Sequence, residues 1–156
     1  MPIKIAIGSD HGGYLKKKEL VSYLAGGYKV VDVGCHSEDS CDYPDYAGKV
    51  AALVSANKVD KGILLCGTGI GMSITANKFA KVRAAVCWNV KTAGLASEHN
   101  NANVLCLSGR FIPLNTLKKM VKKWIATPFA GGRHLRRINK IRNIEKKQAG
   151  MKGSRD

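Results

Sequence analysis

Gly62-Ile63-Leu64-Leu65-Cys66-Gly67-Thr68-Gly69-Ile70-Gly71-Met72-Ser73 passes within twelve residues from an apolar run, through alternating glycines, into a helical pattern. A strand that ends in a glycine-rich turn and feeds a helix is the building unit of α/β proteins. The same succession recurs on both sides of this stretch. Ile3 to Gly8, Tyr28 to Val33, Arg83 to Cys87 and Asn103 to Leu107 are further short runs rich in apolar and β-branched residues. Helical patterns lie between and after them, at 11–24, 46–56, 72–79, 92–100 and 113–125, the last with Pro113 at a first-turn position. Parallel strands need crossover connections, and crossovers are nearly always right-handed. The rhythm therefore predicts an α/β fold, a Rossmann-like three-layer αβα sandwich on a five-stranded parallel sheet. After Gly131-Gly132 an extra C-terminal helix is expected over 133–148. Leu135, Ile138, Ile141 and Ile144 form its apolar stripe, which needs a surface of the same domain or of a second subunit.

The 156 residues fit one domain, expected over 1–148, with a flexible polar tail over 149–156. Hydrophobic residues make up 45% and charged residues 24%, which excludes wholesale disorder, and no apolar run approaches the length of a membrane span. The first residues read as a strand rather than a signal segment, so a cytoplasmic location is expected. Cysteines at 35, 41, 66, 87 and 106 are odd in number and lack CxxC spacing, so reduced thiols are expected. His36 between Cys35 and Cys41 completes no recognised zinc pattern, and neither metal nor cofactor is expected. Residues 118–156 hold 13 of the 26 Lys and Arg but only two acids, so the net charge of +15 is mostly terminal. No aromatics interleave those cations after Phe129, which argues against nucleic acid as the main partner.

In open α/β sheets ligands bind beyond the carboxyl ends of the strands. The loop after the first strand carries Asp10-His11, and the loop after the third carries Cys66 to Gly71. The glycine spacing is neither Walker A nor GxGxxG, yet the amides of such a turn suit a phosphate or a developing oxyanion. Cys66 reads equally as a base or nucleophile at that turn and as a buried structural thiol. Asp10 reads as a site carboxylate or a helix cap, and His99 as a titratable site group or part of a polar helix end. Arg133 and Arg137, four residues apart, share a helix face that either clamps a phosphate or is simply solvated.

Taken in order, Ser9-Asp10-His11, Asp42 to Ala47, Cys66 to Ser73 with Ala76-Asn77-Lys78, Glu98-His99-Asn100, Gly109-Arg110 and Gly131 to His134 resemble the ribose 5-phosphate isomerase B family over about residues 3–147. The family also includes galactose 6-phosphate isomerase subunits. The resemblance implies a metal-free aldose–ketose isomerisation of a sugar phosphate through a cis-enediolate. Cys66 is then the base, and the amides of Gly67, Gly69, Ile70, Gly71, Met72 and Ser73 hold the oxyanion. Relatives that use a Glu base carry it at the position of Met72, so this chain is of the cysteine type. By the same resemblance His99 and Thr68 open the sugar ring, Asp10 and Tyr43 contact hydroxyls, and His11, Arg110, Arg133 and Arg137 hold the phosphate. His99, Asn100 and Arg110 come from the opposite subunit of a homodimer, or of a tetramer built from it. The alternatives are a hexose phosphate isomerase of the same family and a non-catalytic phosphosugar or nucleic-acid binding protein.

Overall fold

The computed structural model describes residues 1–152. Five strands, β1 (Lys4–Ser9), β2 (Lys29–Asp32), β3 (Lys61–Cys66), β4 (Ala84–Val86) and β5 (Val104–Ser108), form one sheet in the order β2-β1-β3-β5-β4. Every neighbouring pair is parallel. Six helices accompany it: α1 (Tyr14–Leu24), α2 (Tyr43–Ser55), α3 (Ile70–Ala76), α4 (Val90–Asn100), α5 (Leu114–Ala126) and α6 (Gly132–Lys152).

Alternate residues of the central strands feed two separate cores. Ile5, Ile7, Ile63, Leu65, Leu105 and Leu107 pack with Leu20 and Leu24 of α1, Ala93 and Ala96 of α4, and Leu117, Met120 and Trp124 of α5. Ala6, Leu64, Cys66, Val104 and Cys106 pack with Val50 and Val54 of α2 and Met72 and Ala76 of α3. Burial on both faces is why these strands read as unbroken apolar runs. Each layer also obeys handedness, since α1 and α4 carry the chain one way across the sheet while α2 and α3 carry it the other.

The element boundaries depart from the sequence pattern for local reasons. Residues 11–13 form a 3-10 turn instead of the first turn of α1, because Gly12 and Gly13 are poor helix formers and Asp10 Oδ1 accepts the Gly12 amide at 2.9 Å. Pro44 lets α2 begin at Tyr43, three residues early. α3 starts and stops early, and the Asn77 side chain that follows it pairs with the Ala84 amide and carbonyl at 2.9 Å each. α6 continues to Lys152, so the boundary expected at 148 falls inside a helix, and the remainder of the expected tail lies outside the described residues.

Lys17 is fully buried on α1, with its Nζ 2.6 Å from both oxygens of Asp32. Asp32 also accepts the Gly34 amide at 2.9 Å, so the pair fixes the end of β2 against α1. Asp32→Ala should cost about 3 kcal/mol by stranding a buried cation, the low end of the usual range because Asp32 is 27% exposed. Urea unfolding measures this directly.

Candidate active site

The strand order reverses between β1 and β3, since the chain leaves β1 towards β2 on one side and lies against β3 on the other. That switch point opens a crevice beyond the carboxyl ends of these strands, where Asp10 and Cys66 stand. The Asp10 amide donates to the Leu65 carbonyl at 3.2 Å, which ties the two strand ends together. Asp10 is 8% exposed, and its carboxylate also caps the 3-10 turn, so it is a helix cap at the rim of the crevice.

Cys66 is 5% exposed at the last position of β3, and the Gly69 amide donates to its sulfur at 3.1 Å. Gly69 lies at φ +84° with Leu107 backbone 3.1 Å from where a Cβ would stand, so only glycine brings that amide back onto the sulfur. The Ile70 amide donates to Thr68 Oγ1 at 3.1 Å, and the Ser73 amide to the Gly69 carbonyl at 3.2 Å. Three of the amides assigned to an oxyanion from the sequence are thus already used inside the chain. Those of Gly67, Gly71 and Met72 have no partner among the described residues and remain as donors, while the Met72 side chain is wholly buried.

Two further groups close on the turn. A Cβ at Gly71 would stand 2.6 Å from the Tyr43 ring, and one at Gly67 would lie 3.4 Å from the Arg110 guanidinium. Arg110 is held there by its own backbone, because the Gly109 amide donates to the Cys66 carbonyl at 2.7 Å and the Arg110 amide to Gly67 at 3.3 Å. Arg110 therefore belongs to the same subunit's crevice as Cys66, which corrects its expected assignment to the opposite subunit. Ser108, which the sequence reading missed, bonds the Gly67 carbonyl at 2.7 Å and accepts the Phe111 amide at 2.9 Å. A serine at a strand end carries no signal of such a role. His11 Nδ1 lies 3.2 Å from both the amide and the carbonyl of Cys41. When it accepts from the amide, Nε2 carries the proton and becomes a donor for an anion.

The remaining assigned residues lie elsewhere. α4 runs back from the carboxyl edge of the sheet, so His99 and Asn100 at its end sit near the amino ends of β4 and β5. Asn100 lines a cavity of about 810 Å³ with Arg83 and Ala102 there. Five residues of β5 separate this edge from Cys66, roughly 16 Å at the rise of a strand. His99 stacks on His134 of α6 at 4.3 Å with an 8° interplanar angle. Burial, then the neighbouring His99, Arg133 and Arg137, hold His134 below the usual histidine range, so at neutral pH it is an uncharged plate for His99. Arg133 and Arg137 project from the same first turns of α6. The residues singled out in the sequence thus fall into two groups, with Asp10, His11, Tyr43, Cys66, Thr68 and Arg110 at one edge of the sheet and His99, Asn100, Arg133 and Arg137 at the other.

Among the described residues, no group of three or more His, Cys, Asp or Glu is arranged to hold a metal ion, and no helix is long and apolar enough to cross a membrane.

The sequence pattern of the family described as Ribose/Galactose Isomerase matches residues 5–141. The chain is 44% identical to Ribose-5-phosphate isomerase B of Escherichia coli (strain K12), over 93% of this chain and 98% of that one. Ribose-5-Phosphate Isomerase B of Clostridium thermocellum superposes with a TM-score of 0.92 at 48% identity, covering 94% of this chain and 99% of that one. The Mycoplasma genitalium enzyme, solved with bound ribulose-5-phosphate, superposes with a TM-score of 0.90 at 46% identity, covering 94% and 98%. Matches of this extent show that the chain belongs to the ribose/galactose isomerase family.

Proposed function

We propose that the protein interconverts ribose 5-phosphate and ribulose 5-phosphate, with Cys66 as the base, in sites shared between two subunits. The observation that carries the reading is the turn that gathers Cys66, Thr68 and Arg110 beside Asp10, in a chain 46% identical to an enzyme solved with ribulose-5-phosphate bound. The Cys66 thiolate takes the proton from C2 of the open-chain aldose, and the electron pair forms the C1–C2 double bond while charge develops on O1. The Gly71 and Met72 amides are fixed donors for that oxyanion. Returning the proton to C1, with the hydroxyl proton moving from O2 to O1, yields the ketose.

Ring opening is assigned to His99 with Thr68, and these lie at opposite edges of one chain. A second copy resolves this. Ile70, Ile74, Trp88 and Phe111 are exposed around the Cys66 edge, while Leu135, Ile141 and Ile144 are exposed along α6, with Ile138 alone of that stripe buried on its own chain. A two-fold pairing sets each apolar surface of one subunit against the other surface of its partner and buries both. The same operation carries His99, Asn100, Arg133 and Arg137 to the partner's Cys66 edge, where the two arginines join His11 and Arg110 around the phosphate. The whole chain then acts as one catalytic domain. Its five free cysteines accord with a reducing, cytoplasmic setting.

Coupled assays with ribose 5-phosphate, allose 6-phosphate and galactose 6-phosphate test the substrate. The expected kcat/KM for ribose 5-phosphate exceeds the others at least about tenfold, since the similar enzyme was solved with a five-carbon phosphate bound and a hexose phosphate adds one CHOH to be accommodated. A preference for either hexose phosphate would overturn the pentose assignment, and no turnover of any would overturn the enzyme.

A further inference from the structure

Two cavities lie between α6 and the amino ends of β4 and β5. The larger, of about 810 Å³, is lined by Ile141 and Ile144, so the proposed pairing of subunits covers it. The smaller, of about 570 Å³, lies along the neighbouring face of α6, and Lys81, Arg83, Arg142, Glu145 and Lys146 line it. None of the residues assigned to isomerisation does. Four cations thus meet one carboxylate, and that carboxylate is engaged, since Glu145 Oε1 accepts the Lys81 amide at 2.9 Å. Among the described residues none of the four cations forms an ion pair.

The cations are held in place by the chain itself. Arg83 is half-buried, its Nε donates to the Asn101 carbonyl at 2.8 Å, and its amide donates to Asn103 Oδ1 at 2.7 Å. Asn103 Nδ2 donates in turn to the Lys81 carbonyl at 2.9 Å. Together with Glu145 on its amide, this keeps Lys81 at φ +66°, a left-handed conformation that residues with a side chain rarely adopt. Arg142 and Lys146 are four residues apart on α6 and share one face. Burial and then the Arg142 charge pull the Arg83 guanidinium below the usual arginine range. An anion seated among these groups removes that repulsion. Val54, Ala80 and Ala149 add an apolar wall, and the volume suits a small organic molecule rather than a bare ion.

We propose that this cavity is a second binding site, separate from the isomerase site, for a small organic polyphosphate: two or more phosphate groups on a nucleoside or sugar body. Its charge follows from the four cations set against one carboxylate, and its organic body from the apolar wall and the volume.

The test is titration calorimetry of the intact chain with ADP, with fructose 1,6-bisphosphate and with inorganic phosphate. ADP or the bisphosphate should bind at one molecule per chain, at least about tenfold more tightly than inorganic phosphate; the tighter of the two identifies the body, and either supports the site. Arg142→Ala and Lys146→Ala should each raise Kd about tenfold, the worth of one charge-assisted contact. Both residues are exposed, so neither substitution threatens the fold. Arg137→Ala should leave Kd unchanged, and saturating ribose 5-phosphate should not displace the ligand. Loss of binding with Arg137→Ala, or displacement by ribose 5-phosphate, would put the ligand in the isomerase site and overturn the proposal. It would equally be overturned by no binding of either polyphosphate, by inorganic phosphate binding as tightly, by several molecules per chain, or by indifference to Arg142→Ala and Lys146→Ala. Calorimetry does not depend on turnover, so failure of the isomerase reading would not be mistaken for failure of this site.

Discussion

Cys66→Ala should lower kcat by about 10²- to 10⁴-fold, the usual worth of a general base, while KM changes less than about threefold. The asymmetry follows from where the sulfur stands. It receives the Gly69 amide at 3.1 Å and packs in the α2–α3 core, so it makes no hydrogen bond that a sugar hydroxyl or phosphate would need in the ground state. Its whole contribution is a proton transfer. Stability should fall modestly, because the substitution removes one sulfur and the turn is also held by Ser108 and by the Gly109 amide. Alkylation of Cys66 should abolish turnover in step with the loss of that thiol, and ribose 5-phosphate should protect it. Retention of more than about a tenth of kcat would remove Cys66 from the role of base.

Much of the fold is legible because the central strands are buried on both faces. Ile63, Leu64 and Leu65 have no exposed side, so their run announces itself without alternation, and the alternation of five such short runs with helical patterns sets the rhythm of a parallel sheet. The short edge strand β4 is visible as a small apolar run although its residues Ala84–Val86 are only half-buried. Helix ends are less legible because they depend on contacts distant in sequence. Nothing local to α3 reveals that Asn77 will bridge to Ala84, or local to α1 that Asp10 will take the Gly12 amide in a tighter turn.

The site follows the same division. Cys66, Thr68 and the glycines after them stand in one stretch, so their meeting needs no tertiary knowledge. Arg110 is different: its place over Gly67 is made by two backbone hydrogen bonds to the β3 end, and sequence spacing alone could not set which subunit it serves. The Cys41 grip on His11 is a backbone contact across 30 residues and leaves no trace in residue type. Arg133 and Arg137 read correctly as neighbours on one helix face. That they lie at the far edge of the sheet from Cys66 is a consequence of the direction of α4 and α6, which only the topology supplies.

The shared site is the central claim, and mixing inactive variants tests it most directly. In a two-fold dimer with Cys66 from one subunit and His99 from the other, a hybrid of Cys66→Ala and His99→Ala has one site with both defects and one with neither. After full exchange half of the dimers are hybrids with one intact site of two, so about a quarter of wild-type activity should return. Arg137→Ala should rescue Cys66→Ala in the same way, as it lies on the His99 side. Arg110→Ala should not, because Arg110 stands over Gly67 of its own chain and every hybrid site then lacks one residue or the other. Exchange is followed independently with a mass-tagged subunit. Return of about a quarter of the activity with His99→Ala, and none with Arg110→Ala, is the predicted result; no recovery with His99→Ala after demonstrated exchange would contradict the account.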